Sequence, residues 1–197
     1  MINKLKELKN FKSTFIIIAI WIIFYILCSI FGIDSTFYNK GWNSIGNEYY
    51  RIFTGMFLHI NILHLLANVL ALYWIGVFLE EKIGSIKYFL FSIISGTISN
   101  LLFTVIYANH QRSLGGSVIT FSLIGLIIAN QIFDKETERF RLGTWYGNWI
   151  LAYAILGNLP FFGGGITRLV IHIIALLVGI ILSCAIYQFS RLKRIEK

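Results

Sequence analysis

Two residues of the types that form a hydrolytic pair stand near the starts of separate apolar stretches. They are Ser117, which follows Gly115 and Gly116, and His172. A serine hydroxyl becomes a strong nucleophile when a neutral imidazole accepts its proton. Burial disfavours the charged form of an imidazole, which keeps the ring in the state that a general base needs. The pair therefore predicts a Ser117 nucleophile with His172 as its base, provided that the fold brings them together.

A second set of polar residues could stabilise the negative charge that such a reaction develops. His64 and Asn68 are four residues apart and share one helix face, so both can present N–H donors toward one point. Gly115 and Gly116 allow a close backbone approach, with Gly116 a candidate oxyanion or substrate-binding residue, and the helix that begins at Ser117 directs its free N–H groups toward the same charge. These features predict an oxyanion site. By itself, Gly-Gly-Ser is better explained as a helix start with small residues for packing.

Phe121 stands four residues after Ser117 on the same helix face. Its ring could stack on the imidazole of His172 and hold it in place. Ordinary packing in the protein core would explain this aromatic residue equally well.

The acidic residues are badly placed to orient His172. Asp34 and Glu48 lie in a polar connection, and Glu80 ends its apolar run about twelve residues beyond Asn68. A hydrolase built from these residues would therefore use a Ser-His dyad without a carboxylate and would need no cofactor. A metal site is not predicted, because the histidines include no i, i+4 pair and have no carboxylate at the same depth.

The elements that position these residues are predicted from composition and hydropathy. The 197-residue chain is 57% hydrophobic and 13% charged, with a mean hydropathy of +0.74, whereas a soluble domain is about a quarter charged. Six uncharged runs approach the length that crosses a bilayer. They are Thr14–Ile33, Phe53–Leu79, Tyr88–Tyr107, Gly115–Phe133, Trp145–Phe162 and Leu169–Phe189, the fifth ending at Pro160 and its following glycines. The prediction is an all-α integral membrane bundle of six transmembrane helices that forms one domain over residues 1–197.

The basic residues predict how this bundle is oriented in the membrane. With the N-terminus in the cytoplasm, 13 of the 17 Lys and Arg residues fall on the cytoplasmic side, as the positive-inside rule expects. Residues 1–13 and 190–197 then form basic cytoplasmic tails, and the aromatic-rich loop Asp34–Arg51 lies at the outer membrane surface. Ser117 and His172 fall in the outer third to half of the bilayer. Because topology explains the net charge of +8, nucleic-acid binding is not predicted.

Small residues predict close contact between the helices that carry Ser117 and His172. Ala175, Gly179 and Ser183 are spaced four apart, and this face would let the sixth span approach the fourth near Gly125 and Ala129.

Several separated motifs together resemble the rhomboid family. The residues that carry the resemblance are His59-x4-His64-x3-Asn68, Gly115-Gly116-Ser117, His172-x2-Ala175-x3-Gly179, Tyr50-Arg51, and Glu80 with Gly84-Ser85. The resemblance implies an intramembrane serine protease with Ser117 as nucleophile, His172 as base and acid, and an oxyanion site formed by His64, Asn68 and the Ser117 N–H. It implies substrates that are single-span membrane proteins, cut near the outer end of their helix. It also implies a multi-pass protein of the bacterial plasma membrane. The pattern specifies no oligomeric state.

Three positions differ from the family pattern and leave other functions open. Val118 replaces a common Gly, Phe121 a common Tyr, and Ala175 a Gly. Because Val118 is β-branched and adds bulk beside Ser117, a second hypothesis is a catalytically silent relative that binds transmembrane helices as a scaffold or quality-control adaptor. A third is a small transporter, although the chain shows neither a repeated half nor an acidic residue inside a span.

Overall fold

The computed structural model describes residues 12–110, 112–133, 139–159 and 165–195. The described elements are helices joined by short turns. In chain order they are α1 (Lys12–Phe31), α2 (Asp34–Phe37), α3 (Trp42–Ile45), α4 (Tyr50–Thr54), a 3₁₀ turn (Gly55–Phe57), α5 (Ile62–Ile83), α6 (Ser85–Ile106), α7 (Ser117–Phe133), α8 (Trp145–Leu156) and α9 (Gly165–Ile195).

The long helices form the membrane-spanning bundle that the hydropathy pattern predicts. By length and composition, α1, α5, α6 and residues Gly165–Gln188 of α9 can each cross a membrane. The apolar α7 is shorter, at 17 residues, and α8 has 12. The fold is an all-α, integral, multi-pass membrane bundle. The expected end of the fifth span at Pro160 lies outside the described residues.

The second span begins later than the sequence indicated. It was predicted from Phe53, but α5 starts at Ile62, and residues 53–57 belong to α4 and the 3₁₀ turn. The helix starts where it does because Asn61 is extended and its side chain accepts a hydrogen bond from the His64 N–H at 2.8 Å. This cap places His64 in the first turn of α5.

Helix α7 lies at the centre of the bundle and contacts α9 backbone to backbone. Almost all of α7 from Ser117 to Ile127 is buried. A β-carbon added at Gly125 would lie 2.3 Å from the Leu176 carbonyl oxygen, and one added at Gly179 would lie 2.0 Å from that of Ser122. Only residues without a side chain fit at such distances, so the predicted close approach of these helices is confirmed.

A buried carboxylate joins α5 to the start of α1 at one end of the bundle. Glu80 is fully buried and accepts hydrogen bonds from the Ser13 N–H, the Thr14 N–H and the Thr14 hydroxyl at 2.7, 2.9 and 2.6 Å. These bonds occupy donors that a helix N-terminus otherwise leaves unpaired.

Residues 32–61 form a folded connection at the other end, which we call the Arg51 end. Arg51 is 4% exposed, contacts Glu48 at 2.8 Å and donates to the Ser35 and Tyr38 carbonyls. Asn39 and Ser113 exchange two backbone hydrogen bonds, which attach this connection to the one between α6 and α7. Loops of this kind can hold the first residues of α5 and α7 in fixed positions.

We expect this connection to loosen in acid. Hydrogen bonds from Arg51 and Lys40 lower the pKa of Glu48 from 4.5 to about 2. A carboxyl group with a lowered pKa stabilises the fold above its ordinary pKa, and the contribution is lost as the pH falls through the folded-state value. The protection factors of the backbone amides of residues 34–57, which correct for the intrinsic pH dependence of hydrogen exchange, should therefore fall between pH 4.5 and 2. Glu48→Gln should already exchange faster at pH 7, and a connection with equal protection in both proteins would contradict the prediction.

Candidate active site

Four of the predicted site residues, His64, Asn68, Ser117 and His172, line one cavity at the Arg51 end of the bundle. The cavity has a volume of about 580 Å³ and lies among α5, α7, α8, α9 and the α6–α7 connection. Its lining includes His64, Asn68, Ser117, Tyr153 and His172. Two hydroxyls, two imidazoles and an amide thus share a space large enough for a peptide segment.

Ser117 is the first residue of α7 and is positioned by Gly115, two residues earlier. Gly115 has φ +138°, a conformation that favours glycine, and its N–H donates to the Gly55 carbonyl. A β-carbon on Gly115 would lie 2.9 Å from His64 Cε1 and 3.5 Å from Ser117 Oγ. The missing side chain therefore leaves the space into which the His64 ring and the Ser117 hydroxyl both point.

Two contacts hold the ring of His172, which is 4% exposed in the second turn of α9. The Phe121 ring stacks on it, with centroids 4.1 Å apart and an interplanar angle of 13°. The ring nitrogen Nδ1 lies 2.8 Å from Asn158 Oδ1. The stacking expected from the position of Phe121 is therefore present, and Asn158 adds a polar contact.

Ser117 and His172 are brought to the same cavity by the α7–α9 contact. Within the described part of the chain, no hydrogen bond joins the Ser117 hydroxyl to the His172 ring. Such bonds are commonly long in a hydrolase without substrate and shorten in the complex.

A hydrogen-bonded chain fixes the side chain of Asn68, which is 1% exposed. Its Nδ2 donates to the His64 carbonyl at 2.8 Å, and its Oδ1 accepts from the Tyr153 hydroxyl at 2.7 Å. The Tyr153 hydroxyl also bonds the Thr120 hydroxyl at 2.8 Å. An amide nitrogen carries two hydrogens, so Asn68 keeps one donor for a ligand.

Gly116 faces away from the cavity. A β-carbon at this position would lie 2.3 Å from Cζ2 of Trp21, so Gly116 lets α1 pack against the start of α7. The His59 ring contacts the Trp21 and His64 rings, with centroids 5.3 and 5.2 Å apart. The rings of Trp21, His59 and His64 thus pack against one another next to the site. Of the two glycines, Gly115 is the one that lines the cavity.

Three polar residues at the site were missed by the sequence analysis. Asn158 contacts the His172 ring, and Tyr153 and Thr120 position Asn68. For Asn158, the available signal was an amide near the end of a span, in the depth range of His172. An amide oxygen can accept a hydrogen bond from an imidazole N–H, so an orienting group need not be a carboxylate.

Together, the fold and the site define a multi-pass helical membrane protein with a polar, hydrolase-like cavity near one end of the bundle. The family model of the Rhomboid domain matches residues 46–189, which include all the predicted site residues. The chain belongs to the rhomboid family.

Individual relatives differ in their activity. The chain is 24% identical over 174 residues to rhomboid protease GlpG of Serratia proteamaculans, covering 85% of this chain and 60% of the relative. It is 35% identical over 83 residues to RHOMBOID-like protein 1 of Arabidopsis thaliana, covering 42% and 21%, and 27% identical over 90 residues to inactive RHOMBOID-like protein 8 of the same plant, covering 45% and 25%. The chain therefore spans less than two thirds of the length of these relatives.

Proposed function

We propose that this protein is an intramembrane serine endopeptidase. One observation carries the proposal: Ser117, His172, His64 and Asn68, from three helices, line a single buried cavity. Burying polar side chains in a membrane protein is costly unless they are paired or functional, and this set matches the requirements of acyl transfer.

The proposed reaction follows from the positions of these groups. His172 takes the proton of the Ser117 hydroxyl as the serine oxygen attacks the peptide carbonyl carbon. The resulting oxyanion accepts hydrogen bonds from the Ser117 N–H, Asn68 Nδ2 and the His64 ring. The imidazolium then protonates the leaving amine, and water, activated by the same imidazole, hydrolyses the acyl-enzyme.

The proposed substrates are single-span membrane proteins, cut within or near the outer end of their transmembrane helix. The location of the cavity near one end of the bundle supports this, because helices entering from that side would reach the site with few residues to unwind. The proposed location of this single domain, residues 1–197, is the plasma membrane of a bacterial cell. The distribution of Lys and Arg supports an orientation with both termini in the cytoplasm and the Arg51 end outside.

A second candidate function is a catalytically silent protein that binds transmembrane helices. Val118, which lines the cavity and is 1% exposed, favours it, because this β-branched residue directly follows the nucleophile in the sequence and adds bulk to the same cavity. One relative, from Arabidopsis thaliana, is described as inactive. The presence of Ser117 and His172 at one cavity favours the protease, because a binding surface needs neither residue.

A fluorophosphonate probe separates the two candidates. We expect the purified protein to be labelled and to cleave members of a panel of single-span substrates, since the probe reacts with activated serines. Ser117→Ala should abolish both signals. The matched control is Ser122→Ala, which removes a buried hydroxyl from the same helix, bonded there to the Val118 carbonyl, and should leave labelling intact. A wild-type protein that binds substrates without being labelled or cleaving them would support the silent relative.

A further inference from the structure

The amide of Asn158 meets His172 in a defined orientation. Asn158 Nδ2 donates to the Ala154 carbonyl at 2.7 Å, one turn back along the chain at the end of α8. This bond identifies the other amide atom, at 2.8 Å from His172 Nδ1, as the oxygen. The amide is thus held at one atom by α8 and presents its acceptor to α9.

The contact determines which nitrogen of the His172 ring carries the hydrogen. An amide oxygen only accepts hydrogen bonds, so Nδ1 must be the donor in this pair. In a neutral imidazole the other nitrogen, Nε2, then has a free lone pair. A general base for Ser117 requires a lone pair of this kind on the nitrogen that faces the hydroxyl.

The two contacts on His172 restrict different motions. Stacking on Phe121 sets the plane of the ring, whereas the bond to Asn158 sets its rotation within that plane. Without the second contact, the ring could rotate so that its two nitrogens exchange positions. It could also adopt the tautomer with hydrogen on Nε2, and a protonated Nε2 has no lone pair to accept the proton of Ser117.

We propose that Asn158 is the positioning residue for His172, so that the site operates as a Ser117-His172-Asn158 arrangement in which a neutral amide orients the base. This inference rests on the proposed protease function for its catalytic consequence. The geometric part, the Nδ1–H tautomer held by Asn158, is independent of whether the protein cleaves anything.

The first experiment measures the tautomer directly. In protein with ¹⁵N-labelled histidine rings at neutral pH, the chemical shifts of the two nitrogens distinguish which one carries hydrogen, and the spectrum of His172→Gln identifies the His172 signals. We expect hydrogen on Nδ1 in the wild type and a mixture of tautomers in Asn158→Leu, which has a similar volume but no acceptor. Hydrogen on Nε2 in the wild type, or no change in Asn158→Leu, would overturn the inference.

The second experiment separates the acceptor from the bond that Asn158 makes with α8. Asn158→Asp keeps an oxygen for Nδ1–H but loses the donor to the Ala154 carbonyl, so it should retain the Nδ1–H tautomer and most of kcat. Asn158→Leu should lower kcat by about 10- to 100-fold with little change in KM, because substrate binding is untouched. If Asn158 serves only to end α8, the Asp and Leu variants should instead lose activity equally, which would overturn the inference.

A control on the same helix tests for general damage to α8. Asn148→Leu removes an exposed amide that does not line the cavity and whose oxygen accepts from the Gly143 N–H, and it should leave both kcat and the His172 signals unchanged. If the wild type neither cleaves nor reacts with the probe, the protease function fails, while the ring spectrum still decides the pairing. If the wild type cleaves and Asn158→Leu cleaves with the same kcat, the positioning role of Asn158 is wrong and the protease function stands.

Discussion

Replacement of His172 with alanine is expected to lower kcat for peptide cleavage by about 10³- to 10⁵-fold, which corresponds to ~4–7 kcal/mol of activation free energy. The physical reason is that a serine hydroxyl is a weak nucleophile near neutral pH unless a base removes its proton during attack. The oxyanion donors of His64, Asn68 and the Ser117 N–H would remain, so a residual rate above the uncatalysed reaction should persist. Turnover of a single-span reporter substrate in liposomes, with kcat and KM determined separately, measures the effect.

The fold of this variant should remain intact. The substitution removes one aromatic stacking contact, worth about 0.5–1.5 kcal/mol, and one hydrogen bond, worth about 1 kcal/mol. Thermal unfolding in detergent should therefore show a modest shift. Ile173→Ala is the matched control, because Ile173 is the next residue of α9 and is 46% exposed. If His172→Ala cleaved as fast as Ile173→Ala, His172 would not be the base.

Hydropathy predicted the bundle because lipid imposes a simple requirement on each spanning segment. An uncharged run of about 20 residues must be helical to satisfy its backbone, which fixes α1 and α6 to within a few residues. The same reasoning failed at Phe53–Leu58, a largely apolar stretch that belongs to the end of α4, the 3₁₀ turn and the residue after it. Burial inside a protein and burial in lipid favour the same residue types, so composition alone could not locate the start of α5 at Ile62.

The sequence predicted those parts of the site that depend on spacing along one helix. Ser117 and Phe121 share a face because four residues make about one turn, and the stacking on His172 followed once α9 was placed beside α7. The contact of Tyr153 with Asn68 joins residues 85 positions apart on different helices. No periodicity within a helix indicates such a contact, because it depends on how α8 is rotated against α5.

The sequence also could not show which of the two adjacent glycines, Gly115 or Gly116, faces the cavity. The sequence indicated a close backbone approach at Gly115 and Gly116 together and favoured Gly116 as the binding residue. The structure instead places Gly115 at the cavity, with φ +138°, and Gly116 against Trp21. Both residues are required to be small, but for different neighbours, and only the backbone conformation of the turn decides which glycine faces which neighbour.

Gly179→Val is expected to lower the free energy of unfolding more than any other substitution proposed above. A side chain at this position gains helix propensity, with glycine disfavoured by about 1 kcal/mol relative to alanine. Against that gain, its β-carbon would lie 2.0 Å from the Ser122 carbonyl oxygen, which belongs to the backbone of α7 and cannot rotate away. Overpacking of a buried contact costs about 1–3 kcal/mol even where side chains can adjust, so we expect a net loss of ~3 kcal/mol or more. Unfolding titrations with SDS in mixed micelles measure it.

The same substitution should also lower activity in the fraction that remains folded. Helix α7 carries Ser117 and α9 carries His172, so relieving the clash moves the nucleophile away from its base, and a displacement of 1 Å costs about 10²-fold in rate. Ala185→Val is the control, since Ala185 lies on an exposed face of α9 and the added methyl groups should change stability by no more than about 0.5 kcal/mol. Equal stability of the Gly179 and Ala185 variants would mean that α7 and α9 are not in backbone contact, and the convergence of Ser117 and His172 would lose its structural basis.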